Sequence, residues 1–159
     1  MSRLADEQTF LPQVAAFNAD ASDGLSGTQY TDVVNMAKYR KVLWVVQKGA
    51  GAVGTATITV ESSSNAAAGA TQAIAYRYKK STTPDVWSDW TAVASTGFTT
   101  TAGADQCYLI EVDGSDSYST YNYVRLKTVE VAATAVDCMI LTIMGQPRQM
   151  LENPITAIT

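Results

Sequence analysis

No histidine occurs among the 159 residues of this chain. The side chain whose ordinary pKa lies nearest neutrality is therefore missing, and with it the usual base of nucleophilic triads and a frequent zinc ligand. Acid–base work would fall to carboxylates or lysine. Glu111 and Glu130 would form a catalytic pair only if their strands brought them to within roughly 5 to 9.5 Å of each other. Nothing in their spacing requires this, and a protein that is not an enzyme and carries no cofactor is the expectation.

Four other groups of residues have types suited to chemistry. Residues 49–54 read GAGAVG, a match to G-x-G-x-x-G that invites a dinucleotide. The next residues, TATITVE over 55–61, are β-branched with period two, whereas a pyrophosphate site needs a helix N-terminus aimed at the ligand. A glycine-rich hairpin is expected there. Trp87 and Trp90, in the run WSDW, together with eight tyrosines would supply a sugar-stacking platform, because aromatic faces pack on apolar sugar faces. On a regular strand those two indoles point to opposite sides, so core filling is expected and glycan binding is the alternative. Asp113 and Asp116, like Asp20 and Asp23, lack the D-x-[DN]-x-[DN]-G spacing and the downstream bidentate Glu of a calcium loop. They are expected to form turns, with no metal bound. Cys107 and Cys138 have neither CxxC spacing nor a third partner and are expected to be buried free thiols; a disulfide would need their strands adjacent.

Charged residues make up 16% of the chain, low against a typical ~25%, and the net charge is -4. No basic cluster exceeds Lys38, Arg40 and Lys41, so direct nucleic-acid binding is not expected. Residues 1–13 contain no apolar stretch of signal-peptide length, and the longest apolar run, 42–46, is far too short to cross a bilayer. The expectation is a soluble protein made in the cytoplasm, without a membrane partner.

The elements that would position these residues are strands. Residues 42–46 (VLWVV) are apolar at every position and predict a strand buried on both faces, after a short strand over 33–36. Over 54–61 Ala56, Ile58 and Val60 share one face, and Ile74, Tyr76 and Tyr78 share one face of the next strand. A shorter strand over 86–93 carries both tryptophans. Residues 106–113 alternate Tyr108, Ile110 and Val112 against Cys107, Leu109 and Glu111. Over 123–131 the apolar face switches from Val124 and Leu126 to Val129 and Val131, which predicts a bulge near Thr128. Residues 136–144, apolar on both sides, predict a central strand. About eight strands without a helical period call for an all-β fold, a jelly-roll-like β-sandwich over residues 32–146.

Two arms flank that domain. Residues 1–31 are turn-rich with scattered apolar side chains, of which Phe10, Leu11, Pro12, Val14 and Phe17 either fold back on the domain or dock on a neighbour. Residues 147–159 carry Pro147, Arg148, Met150, Leu151, Pro154, Ile155 and Ile158 without alternation and predict a second docking arm.

Segments 38–46 (KYRKVLWVV), 49–60 (GAGAVGTATITV), 99–112 (TTTAGADQCYLIEV) and 123–131 (YVRLKTVEV) together resemble the capsid decoration, or cement, proteins of tailed bacteriophages. The resemblance spans about residues 32–147 and rests on strand-and-turn character. It implies a jelly-roll-like sandwich, often a homotrimer, that sits on the outer surface of an icosahedral head and ties neighbouring major capsid proteins together. It carries over no catalytic residue. A glycan-binding virion module and a head-completion or tail component are the alternatives.

Overall fold

Period-two alternation decides which side chains each strand buries, and here it builds two sheets that close on one core. The computed structural model describes residues 8–12, 23–51, 53–114 and 121–147. Over these the chain is all β, with strands β1 (Gln8–Pro12), β2 (Thr28–Tyr30), β3 (Val34–Asn35), β4 (Tyr39–Lys48), β5 (Thr55–Ser63), β6 (Thr71–Ile74), β7 (Tyr76–Ser81), β8 (Thr91–Val93), β9 (Phe98–Thr99), β10 (Cys107–Asp113), β11 (Tyr123–Ala132) and β12 (Cys138–Pro147). The first sheet has the order β1-β12-β4-β10-β7-β8; the second runs β2-β11-β5-β6, with β3 also beside β11 and β9 beside β5. Neighbouring strands are antiparallel throughout. The β-sandwich expected from the alternation is therefore the fold; the short strands β1, β2 and β9 raise the count above eight, as does the division of the strand expected to carry Ile74, Tyr76 and Tyr78 into β6 and β7, which belong to different sheets.

Between the sheets lie Val42, Trp44, Val46, Ile110, Val112 and Met144 from the first and Ile58, Val60, Val124 and Leu126 from the second, each 1% exposed or less. At about 25 cal/mol per Å², burial of large apolar side chains on this scale is the main stabilising contribution. Phe98 stacks on Tyr78 with ring centroids 3.9 Å apart, closing the core beside β7. The Tyr76 hydroxyl donates to the Ile58 carbonyl and ties the two sheets together across the core.

Several expectations need correction. The domain does not begin at residue 32: Leu25 is 1% exposed and packs with Ala56 and Val136, while the Thr31 amide and hydroxyl bond the Leu126 carbonyl and amide. A lone leucine among turn formers has no alternation to reveal it. The bulge lies between Glu130 and Ala132, not near Thr128, because Thr128 keeps the inward place of the alternation at 1% exposure. Residues 86–90 are not strand: Val86 makes only an isolated bridge to Thr83, and the strand is Thr91–Val93, paired with β7. Strand β12 has a neighbour on each side but lies next to the sheet edge, since β1 covers it. Residues 49–54 are not a hairpin: β4 and β5 belong to different sheets, so this run is a corner between them. Gly51 has φ +99°, and a Cβ there would fall 2.6 Å from the Val136 Cα. Glycine lets segment 135–136 pack against the corner.

Candidate interaction surface

Among the described residues, those with reactive side chains do not converge. Glu111 lies in the first sheet, paired with Arg77 and 3.7 Å from Lys41, whereas Glu130 lies in the second and accepts from the Gly27 amide at 2.9 Å. Asp113 meets Lys41 at 3.7 Å, and Asp23 accepts from the Leu25 and Val136 amides as a turn former does. Asp20 and Asp116 lie outside the described residues. Cys107 and Cys138 are free thiols, half-buried and not fully buried as expected. They oppose Gln47 and Lys48 on the two sides of β4, so two strand spacings, roughly 9–10 Å, separate them and no disulfide can form. Burial pushes the Cys138 thiol up to about 12, partly offset by the nearby Lys48 ammonium.

What the fold does assemble is a face. On the outward side of the first sheet Leu43 lies opposite Ile143, and Val45 opposite both Leu141 and Leu109. These five side chains are half-buried and contiguous across β12, β4 and β10. The pattern that predicted strands buried on both faces is thus corrected: Val42, Trp44 and Val46 fill the core, while Leu43 and Val45 make an apolar outer surface. The outward side of the second sheet is more polar, with Thr57, Thr59 and Glu61 on β5 beside Arg125 and Lys127 on β11, and with Val129 opposite Thr57 and the half-exposed Tyr30 as its apolar members. Glu61 accepts from Arg125 at 2.8 Å and Lys127 at 3.1 Å. Burial works against its charge, but these hydrogen bonds outweigh it and hold the carboxyl below the usual range. The Arg125 guanidinium in turn lies 4.0 Å from the centre of the Tyr30 ring and so pins β2.

Beyond β10 the apolar face meets an aromatic edge. Trp87 and Trp90 are 42% and 41% exposed, which overturns the expectation that they fill the core. The reason is local: segment 86–90 leaves the strand, so the indoles need not alternate between faces. The Lys79 ammonium lies 5.1 Å and 5.4 Å from the Trp87 and Trp90 rings, and the Arg77 guanidinium 5.0 Å from Trp90. Lys79 opposes Leu109 and Arg77 opposes Glu111, so this edge is continuous with the apolar stripe.

Of the residues expected in the arms, Phe10, Leu11 and Pro12 belong to β1 and pair with Ile143, Thr142 and Leu141, folded back on their own domain. Pro147 ends β12, opposite Tyr39. Val14, Phe17, Arg148, Met150, Leu151, Pro154, Ile155 and Ile158 lie outside the described residues. No motif in the sequence marks one buried charge: Lys48 is 0% exposed, and its ammonium donates to the Gly54 and Thr101 carbonyls at 2.8 and 2.9 Å. Burial lowers its pKa. Its inward place after Val42, Trp44 and Val46 in the same alternation is the clue that was available. Comparison with family models, with curated proteins and with solved structures finds no match to the chain.

Proposed function

We propose that this protein is a structural virion protein of a tailed bacteriophage, a decoration protein that binds the outer surface of the icosahedral head and links neighbouring major capsid proteins. The observation that carries the reading is the unequal pair of outer faces. A protein that only needs solubility gains nothing from Leu43, Val45, Leu109, Leu141 and Ile143 on one outer face, while a protein that must lie against a shell does. Strand β1 lies along the outer side of β12, and Gln8 pairs with Gly145, two residues before the end of β12 at Pro147.

In this reading the sandwich is the stiff hub and the apolar face is its footing. Jelly-roll connectivity and a homotrimer belong to the same proposal, because three footings on one site convert weak single contacts into lasting attachment. The shell, not the packaged DNA, is the partner, in keeping with the net charge of -4. Synthesis takes place in the host cytoplasm and residence is on the virion. The test is to add the purified protein to expanded capsids that lack it and to examine them by cryo-electron microscopy. Discrete density at threefold positions, with DNA release shifted to higher temperature, supports the proposal; bare shells refute it.

A further inference from the structure

We propose that Trp87, Trp90, Lys79 and Asp89 form a carbohydrate-binding platform, a second site that does not depend on attachment to a shell. Large aromatic side chains dominate the energetics of whatever they contact, and two neighbouring tryptophans left two-fifths exposed are unusual for a surface. The cation contacts do not account for them. A single exposed cation–π contact is weak, and Tyr30 with Arg125 shows that the fold can pin a segment with a single ring.

The platform is built to hold its shape. Thr83 bridges to Val86 around Asp85, whose φ of +63° turns the chain. The Ser88 amide donates to the Lys80 carbonyl at 2.9 Å, and the Ser88 hydroxyl accepts from the Lys80 amide at 3.0 Å. Ser88 thus fastens the loop to β7 between the two tryptophans, so the indoles are placed without being buried. Because Lys79 approaches both rings, their centres lie no more than about 10.5 Å apart. That span suits a ligand of one or two sugar rings.

The polar groups choose the ligand class. Among the described residues neither the Lys79 ammonium nor the Asp89 carboxylate has an ionic or hydrogen-bonding partner. A donor that lies against both indoles and an acceptor one residue from Trp90 in the chain match a pyranose, whose hydroxyls need both and whose C–H face stacks on an indole. Asp85 and Asp89 in the same loop disfavour a phosphate backbone.

The test is a titration of the intact protein, read by tryptophan fluorescence and calorimetry, with neutral hexose, N-acetylhexosamine and uronic acid oligomers as probes. Trp44 is 0% exposed and serves as a fixed background, which also reports that each variant is folded. At least one probe class is expected to bind, with affinity reduced tenfold or more in Trp87→Ala and in Trp90→Ala and unchanged in Tyr30→Ala on the opposite sheet. Absence of binding by all three classes at millimolar concentration overturns the proposal. So does equal binding by the folded Trp87→Ala/Trp90→Ala double variant.

Discussion

Three buried polar atoms of the core have no hydrogen-bonding partner among the described residues: the Trp44 indole nitrogen and the hydroxyls of Thr128 and Thr142. Thr142 lies opposite Trp44 across the β12–β4 pair, so two of the three are neighbours. An unsatisfied buried hydroxyl costs about 1–3 kcal/mol, and valine has the same shape without it. Thr142→Val is therefore expected to raise unfolding free energy by about 1 kcal/mol in urea titration, with an unchanged denaturant slope. Lys48 is the opposite case, because its buried ammonium satisfies two carbonyls. Lys48→Ala leaves a cavity and orphans both acceptors, and is expected to lower stability by about 2–4 kcal/mol.

Strands and corners carry their own constraints. Gly51 sits at φ +99° against segment 135–136, so Gly51→Ala adds both backbone strain and a clash, and a loss of more than about 2 kcal/mol is expected in thermal or chemical unfolding. Strand β1 covers the outer edge of β12. Deleting residues 1–12 is expected to speed amide hydrogen exchange within Cys138–Pro147 while leaving Tyr123–Ala132 in the other sheet protected. The long strands were readable in the sequence because alternation over seven or more residues, as in Cys107–Asp113, has one solution. Strands of two to five residues, such as Thr28–Tyr30 and Gln8–Pro12, carry too few periods, and pairing with a neighbour decides them. The candidate face was present in the sequence as well, in the doubly apolar runs of β4 and β12. It read as double burial because periodicity cannot distinguish a strand covered by a second layer from one whose outer face awaits a partner. The tryptophans were misplaced for a different reason: a loop held by Ser88 breaks the alternation that would have hidden one of them.

The titratable groups together set the pH range of the assembled fold. Burial raises the pKa of Cys107 and Cys138 from an ordinary 9.0, and of Tyr76 and Tyr108 from 10.0. A group whose folded pKa is raised contributes stability that is fully present below its unfolded value and is lost as pH climbs through the folded value. Lys48 acts in the other sense: its lowered pKa means that stability is recovered as pH rises towards 10.5. Four groups oppose one, so the melting temperature is expected to fall progressively above about pH 9, and Cys138→Ala to blunt that fall. On the acid side Glu61, held below its ordinary 4.5, contributes stability that is lost as pH drops beneath that value, and Glu61→Gln is expected to remove this dependence.

Cosedimentation with expanded phage capsids shows whether the apolar outer face of the first sheet is the footing on a shell. Leu141→Asp places a charge on that face directly beside Val45, while Thr59→Asp places one on the more polar face of the other sheet. The unaltered protein and Thr59→Asp are expected to sediment with the capsids, and Leu141→Asp to bind about tenfold more weakly or worse, a loss of ~1.4 kcal/mol or more. Sedimentation of Leu141→Asp at full affinity, or failure of the unaltered protein to sediment at all, would contradict that footing.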